Sequence, residues 1–231
     1  MKNTPTIIAL TGHAGAGKDT VASIILDAYT RNGGVLAFAD GLRQEVCFAF
    51  DVYMHTLSNR ETKEQPHADL ALHRCCDERF VQRMAEHYAS GLREGGIVGE
   101  VLDLAAPRSP RQIMQWWGTE YRRHSTPGYW VNKTRERIAN IAAVGRANLI
   151  VITDVRFADE AAMVRELGGK LIQITRPGTG GGAGTHESET AGTEFAPDAV
   201  VHNSGTLQDL QSTAIAQLHD LFPGRVAYED A

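Results

Sequence analysis

The sequence is short of cysteine, of positive charge and of long apolar runs. Of its three cysteines, Cys75 and Cys76 are adjacent and poorly placed to pair, so no disulfide framework is expected. The net charge of −5 argues against an extended basic surface, and we expect no stable nucleic-acid binding. No apolar run is long enough to span a bilayer, and the first residues lack the pattern of a signal peptide. These absences predict a soluble cytoplasmic protein without a membrane partner.

Short apolar segments alternate with helical patterns along the 231 residues, a length that suits one domain with a full core. Apolar runs predict strands at 6–11, 35–38, 148–153, 170–175 and 199–202. Helical spacing predicts helices between them, including one through 42–50, one at 160–167 and a last one with Leu207 and Leu210 on its apolar face. This alternation indicates an α/β fold with a central parallel sheet flanked by helices.

Capping signals predict where several helices begin. Ser109 and Pro110 form an N-cap followed by proline, which predicts a helix over 111–123. Thr126 with the next proline predicts a further start of the same kind, and Thr206 with Asp209 has capping-box spacing. Between 58 and 107 the pattern changes to polar turns around a helical piece near 71–92. We interpret 58–107 as an insertion on a core formed by 1–57 and 108–231.

The first predicted strand leads directly into a glycine-rich phosphate loop. Gly12, Gly17 and Lys18 supply the GxxxxGK pattern between a strand and a helix, the context that this motif requires. Backbone N–H groups turn inward in such a loop, the helix N-terminus adds positive potential, and the lysine reaches the β- and γ-phosphates. The segment therefore predicts ATP binding by Gly12, Ala14, Gly15, Ala16, Gly17, Lys18, Asp19 and Thr20.

The residue after the loop lysine departs from the usual pattern. A serine or threonine that holds Mg²⁺ commonly stands there, whereas this chain has Asp19 and places its hydroxyl at Thr20. Asp19 either supports Mg²⁺ through water or only favours the helix N-terminus, and both interpretations stay open. Mg²⁺ is the expected cofactor beside ATP, with Asp19 and Thr20 as candidate ligands.

Further segments occur in a distinctive order. They are GKDT at 17–20, residues 37–43, SPRQIMQWWGTEYRR at 109–123, YWVNK at 129–133, TDVRFADE at 153–160, TRPG at 175–178, THESE at 185–189 and VVHNSGTLQDL at 200–210. In this order they resemble the deoxynucleoside monophosphate kinases of tailed bacteriophages, most weakly over 58–107. The resemblance implies a P-loop kinase fold with a helical monophosphate-binding insertion and a lid loop over 176–192.

The same resemblance implies an activity and its setting. The activity is transfer of the ATP γ-phosphoryl group to the 5′-phosphate of a deoxynucleoside monophosphate, in the host cytoplasm if the chain is phage-encoded. A homodimer is also compatible with the resemblance. An acceptor phosphate is already ionised, so the reaction needs alignment and charge neutralisation rather than a general base.

Site residues follow from the resemblance position by position. The deoxynucleotide pocket would be lined by Arg111, Gln115, Gly118, Thr119 and Trp130, with Asp154, Arg156 and Glu160 at its floor. Arg43 and Arg60 would clamp phosphate. The catalytic residues would be Lys18, Arg111, Arg156 and Arg176, since bidentate guanidinium groups suit phosphoryl oxygens.

Structural roles compete with some of these assignments. Trp130 is open between core packing and base contact, and Asp154 at a strand end could only cap a helix. His186 and Glu189 match the family pattern, but the residues themselves suggest no role. Other functions also stay open: a P-loop kinase acting on a modified base in DNA or on another phosphorylated metabolite, and a P-loop ATP-binding regulator that is not a kinase.

Overall fold

The computed structural model describes residues 5–29, 32–59, 61–93, 102–145, 147–179 and 195–224. The predictions for Arg60, for lid residues 180–192, and for His186 and Glu189 within that lid lie outside the described residues. The chain forms two compact units. Unit 1 comprises Met1–Phe38 and Val131–Ala231, and unit 2 comprises Ala39–Trp130.

The helices of the described residues are numbered in chain order. They are α1 (Lys18–Tyr29), α2 (Phe38–Phe50), α3 (Met54–Ser58), α4 (Glu78–Arg93), α5 (Pro110–Gln115), α6 (Tyr129–Val144), α7 (Ala158–Glu166) and α8 (Leu207–Leu221). Two short 3₁₀ turns, Ala68–Leu70 and Leu72–Arg74, precede α4, and a π-helix, Trp116–Arg123, follows α5. None of the described helices is both long enough and apolar enough to cross a membrane.

Unit 1 is built on a parallel sheet. Its strands are β1 (Thr6–Thr11), β2 (Gly33–Leu36), β3 (Leu149–Ile152), β4 (Lys170–Thr175) and β5 (Ala199–His202), in the order β2-β3-β1-β4-β5. All four strand pairings are parallel. The interior strands β1 and β3 are buried and mainly apolar, because helices cover both faces of such a sheet. The predicted α/β fold class is confirmed.

The two faces of the sheet have different helical partners. Ile8 and Leu10 of β1 share a core with α1 and α8, whereas Ile7 points to the other face, where α7 packs on β1 and β4. The predicted capping box at Thr206 is present at the start of α8. Leu207 was wrongly placed on the apolar face, because the buried stripe of α8 begins one turn later, at Leu210.

The second strand differs from its prediction. A buried strand was predicted at 35–38, but β2 spans Gly33–Leu36 and Phe38 begins α2. Since β2 is an edge strand paired only with β3, Val35 is exposed. A Cβ on Gly33 would lie 2.3 Å from Leu26 Cδ2, so glycine lets this edge run close to α1.

Unit 2 is helical with an aromatic core. Phe80 of α4 packs on Phe50, with 6.2 Å between ring centroids, and on Trp117 at 4.6 Å. The helical piece predicted near 71–92 consists of 3₁₀ turns followed by α4. The helix begins only at Glu78 because Asp77 Oδ1 accepts a 3.1 Å hydrogen bond from the backbone N–H of Phe80 and so caps it.

The helix predicted over 111–123 is also divided. Ser109 caps it as predicted, with its hydroxyl accepting from the N–H of Gln112 at 3.2 Å. After Gln115 the chain continues as the π-helix, and we call the whole stretch 110–123 the α5–π segment. A π turn adds one residue to each hydrogen-bonded ring, so side chains beyond Trp116 leave the register that α-helical spacing assumes.

The next helix starts later than its sequence signal. Thr126 and Pro127 were predicted to open it, but α6 begins at Tyr129. The N–H of Thr126 still donates to the carbonyl of Arg122 at 2.9 Å, so this residue closes the preceding helical segment. Gly128 then has a φ of 78°, a left-handed conformation that breaks the helical path before α6.

Candidate active site

The phosphate loop joins β1 to α1 in unit 1. Gly12, Gly15 and Gly17 have φ angles of 133°, 80° and 103°, values that favour glycine. A Cβ on Gly12 would lie 2.2 Å from the carbonyl oxygen of Ile174, closer than any allowed contact. The loop therefore lies against β4, and glycine is required at position 12 by this close approach as well as by its φ.

Lys18 is the first residue of α1, and its ammonium folds back over the loop. Its Nζ donates to the carbonyl oxygens of Gly12 at 2.7 Å and of His13 at 2.8 Å. These contacts hold a positive charge at the helix N-terminus, where backbone N–H groups and the helix dipole also favour an anion. The arrangement can bind the phosphates of a nucleotide.

Asn203 fixes the far side of the same loop. Its Nδ2 donates to the carbonyl oxygen of Ala16 at 2.9 Å, and it lies 2.6 Å from the position that a Cβ on Gly17 would take. Its own backbone N–H donates to Thr175 at 2.7 Å. The side chain thus ties the phosphate loop to the carboxyl ends of β4 and β5.

Arg176, a predicted catalytic residue, reaches the phosphate loop from the end of β4. Its Nη1 donates to the carbonyl oxygen of Gly15 at 3.4 Å. Thr179 closes a turn beneath it, with its hydroxyl donating to the Arg176 carbonyl at 2.7 Å. Lys18 and Arg176 therefore both hold their charges at the loop.

The three residues predicted after β3 have different environments. Asp154 Oδ1 accepts a 2.7 Å hydrogen bond from the N–H of Phe38, the first residue of α2, so it caps that helix. Glu160 is only 3% exposed and accepts from the N–H groups of Arg156 at 2.8 Å and Phe157 at 3.2 Å. Both carboxylates thus have structural contacts that the resemblance did not imply, whereas Arg156 is exposed.

Unit 2 brings several predicted acceptor residues together on the α5–π segment. Arg111 and Gln115 are one helical turn apart on α5, and Gly118 and Thr119 follow in the π-helix. Trp130 is 6% exposed and donates from Nε1 to the carbonyl oxygen of Gly118 at 2.9 Å. Of the two open interpretations of Trp130, this burial favours core packing.

Arg111 and Arg43, which were predicted to bind the acceptor nucleotide, are each paired with a carboxylate in unit 2. Arg111 donates from Nε to Glu64, and its backbone N–H donates to the carbonyl of Lys63 at 2.9 Å. Arg43 Nη1 lies 3.3 Å from Asp40 Oδ1, while its Nε is buried and has no hydrogen-bond partner among the described residues. Both ion pairs are partly exposed, so each contributes no more than about 1 kcal/mol.

A cluster of charged and aromatic side chains surrounds Glu45 of α2. We call Glu45, Trp117, Tyr121, Arg122 and Tyr129 the Glu45 cluster. The Glu45 carboxylate accepts from Trp117 Nε1 at 2.8 Å, from Arg122 Nε at 2.9 Å and from the Tyr129 hydroxyl at 2.5 Å. The Arg122 guanidinium lies 4.5 Å from the Tyr121 ring centroid, 5.4 Å from that of Trp117 and 5.2 Å from that of Tyr129. The cluster therefore joins α2, the π-helix and the start of α6.

Two pKa values show how the cluster distributes its charge. Burial and the hydrogen bond to Glu45 raise the pKa of Tyr129 to about 12. Burial acts to lower the pKa of Arg122, but the Glu45 carboxylate more than offsets this, so the pKa is raised. The phenol consequently stays neutral and the guanidinium stays charged throughout the neutral range, and both donate to the carboxylate.

Comparison with known proteins decides the family. A sequence model described as deoxynucleotide monophosphate kinase matches residues 70–214, which is more than half of the chain. The chain belongs to this family. It is also similar to a provisionally named deoxynucleotide monophosphate kinase of Acanthamoeba polyphaga mimivirus, with 28% identity over 223 residues, 91% of this chain and 94% of the relative. The resemblance drawn from the sequence is thereby confirmed, and with it a nucleotide kinase function.

Sequence reasoning missed two residues of this kinase that the structure brings forward. Asn203 stood in a segment that carried the resemblance, but no role was assigned to it; its signal is a polar residue directly after a buried strand. Glu45 was not singled out at all. Its signal is an acidic residue inside the apolar stripe of α2, next to Val46 and three residues after Leu42.

Proposed function

We propose that this kinase transfers the γ-phosphoryl group of ATP to the 5′-phosphate of a deoxynucleoside monophosphate. The observation that carries the proposal is the phosphate loop, which holds Lys18 and Arg176 beside one cradle of backbone groups in a chain of this family. Cations at this place can neutralise charge on the moving phosphoryl group, which is the main catalytic requirement of the reaction.

On the ATP side, the loop N–H groups bind the phosphates and Lys18 moves from its carbonyl contacts to phosphate oxygens. Asp19 and Thr20 are exposed in the first turn of α1 and present a carboxylate and a hydroxyl. Such oxygen ligands suit Mg²⁺, so these two residues would hold the metal directly or through water. When bound, Mg²⁺ would supply further neutralisation of phosphate charge.

On the acceptor side, Arg111 and Arg43 of unit 2 bind the monophosphate, as the resemblance implies. Their partners, Glu64 and Asp40, hold them only weakly, so the more highly charged phosphate can replace either carboxylate. The buried Nε of Arg43 offers a further donor. Because the acceptor phosphate is already ionised, these side chains need only hold and orient it and neutralise its charge.

The test is a turnover assay with MgATP and each of the four common deoxynucleoside monophosphates, extended to base-modified ones and ribonucleotides. Equal amounts of ADP and deoxynucleoside diphosphate are expected for at least one acceptor, and Lys18→Ala should abolish both. Formation of ADP without any diphosphate would instead support a non-kinase ATP-binding regulator. Transfer only to a base in DNA, or only to another phosphorylated metabolite, would support the corresponding alternative kinase.

A further inference from the structure

The strongest unexplained feature of unit 2 is the number of donors on one carboxylate. Glu45 accepts hydrogen bonds from Trp117, Arg122 and Tyr129, while its side chain is 14% exposed. A buried acid is costly unless it is paired, and here its charge is balanced by a guanidinium and two neutral donors. Such pairs contribute little to net stability, but they can fix geometry.

The donors stand next to predicted acceptor contacts. Trp117 directly precedes Gly118, and Tyr129 directly precedes Trp130. Trp130 in turn donates to the carbonyl of Gly118 at 2.9 Å. Glu45 thus holds both ends of this indole–carbonyl contact through the neighbouring residues, and Leu42, one turn earlier on α2, lies 3.1 Å from where a Cβ on Gly118 would be.

The π-helix makes this anchoring necessary. Its i→i+5 turns are less favourable than α-helical turns and persist where side chains hold them. Trp117 and Arg122, both bonded to Glu45, lie five residues apart within it. Arg122 also lies among the rings of Trp117, Tyr121 and Tyr129, where its charge is compensated chiefly by Glu45 and, at 3.8 Å, by Asp77.

We propose that Glu45 is a positioning residue for the acceptor nucleotide: its carboxylate fixes the π-helix, and with it the placement of Gly118 and Thr119. Glu45 itself does not touch the substrate. The inference rests on the proposed function, because it takes Gly118 and Thr119 as contacts of the deoxynucleoside monophosphate, as the resemblance implies. If this is so, a substitution of Glu45 weakens binding of the acceptor nucleotide and leaves the binding of ATP unchanged.

The test compares Glu45→Gln and Tyr129→Phe with matched controls in the same unit. Glu45→Gln keeps the size of the side chain but removes the charge that Arg122 requires, and Tyr129→Phe removes only the hydroxyl at 2.5 Å. The controls are Glu86→Gln and Tyr53→Phe, both at exposed side chains. Each variant is assayed for the KM of the best deoxynucleotide, for kcat, for the Kd of ATP and for the melting temperature.

We expect Glu45→Gln to raise the KM of the deoxynucleotide at least about tenfold, with a smaller rise for Tyr129→Phe, and no change in the Kd of ATP. The two effects should be less than additive in the double variant, because both act through one carboxylate. If Glu45 had only a structural role, the variants would have a lower melting temperature and would bind both substrates more weakly to the same degree. That result would overturn the proposal.

If Glu45→Gln fails to fold, Tyr129→Phe decides alone, since it keeps the Glu45–Arg122 pair intact. An unchanged acceptor KM in a folded variant, beside an active wild type, would reject the positioning role and leave the kinase function standing. If the wild type phosphorylates no deoxynucleotide, it is the proposed function that fails, so the two failures are distinguishable.

Discussion

Unit 1 and unit 2 hold their candidate site residues by different means. In unit 1 the phosphate loop is shaped by backbone atoms: glycines with positive φ, carbonyls that receive Lys18, and close approach of Gly12 to Ile174. In unit 2 the α5–π segment is held by side chains, with one carboxylate serving three donors. A backbone-built site tolerates few residue types at each position, whereas a side-chain cluster can be assembled in many ways.

The largest effect expected from this comparison is in the phosphate loop. Lys18→Ala removes the charge directed at the transferring group, so the rate should fall by on the order of a thousandfold with little change in melting temperature. Lys170→Ala is the matched control, because Lys170 pairs with Asp198 beside β5 and has no predicted part in the site. Retention of more than about a tenth of the wild-type rate by Lys18→Ala would remove the phosphate loop from the mechanism.

Replacing Gly12 tests whether close approach, and not only the turn, requires glycine. Gly12→Ala combines a φ of 133° with a 2.2 Å collision against the Ile174 backbone, so we expect loss of ATP binding and more than about 3 kcal/mol of destabilisation. Gly145→Ala has a φ of 64° and open space around its Cβ, so it should cost only about 1 kcal/mol. Equal melting temperatures for the two variants would show that the collision is relieved at no cost.

Arg111→Ala probes the acceptor side. Removing a charge-assisted contact should weaken binding of the monophosphate by about 2 to 3 kcal/mol, which is measured as a rise in the KM of the deoxynucleotide. The Kd of ATP should stay unchanged. Arg74→Ala, which breaks a comparable exposed pair with Asp69 in unit 2, should alter neither constant. A wild-type acceptor KM in Arg111→Ala would place the monophosphate elsewhere.

The difference between the units also explains what could be predicted from sequence. Four of the five strands could be predicted because buried parallel strands need unbroken apolar runs, whereas the edge strand β2, with an exposed Val35, was predicted two residues too late. The phosphate loop could be predicted because its dihedrals require glycine at fixed spacing. The π-helix could not be predicted, since the spacing of Trp117 and Tyr121 is also compatible with an α-helix. The contacts that hold these two side chains in the π-helix come from Glu45 and Phe80. Those contacts join residues far apart in the chain.

Asn203 is an exception within unit 1, because there a side chain supports the backbone loop. Asn203→Ala loses the 2.9 Å hydrogen bond to Ala16, so we expect about 1 kcal/mol of destabilisation and a several-fold rise in the KM of ATP, without change for the acceptor. Thr206→Ala is the control: it removes the nearby cap of α8, at a similar cost in stability, but should leave the KM of ATP unchanged. If Asn203→Ala and Thr206→Ala changed the KM of ATP and the stability by the same amounts, Asn203 would contribute only to stability.

The smallest expected effect concerns the hydroxyl of Tyr129 in unit 2. Its pKa is about 12 in the folded protein, against an ordinary value near 10 in the unfolded chain. Between these values the unfolded chain has lost the phenolic proton while the folded protein keeps it, so the contribution of Tyr129 to the free energy of unfolding is complete below pH 10 and declines as the pH approaches 12. The stability difference between wild type and Tyr129→Phe should therefore shrink over this interval in denaturant titrations. Tyr53→Phe, at an exposed ring, should differ from wild type by the same small amount at each pH. A constant Tyr129→Phe difference up to pH 12 would mean that Glu45 does not hold this hydroxyl, and the side-chain account of unit 2 would lose one of its three donors.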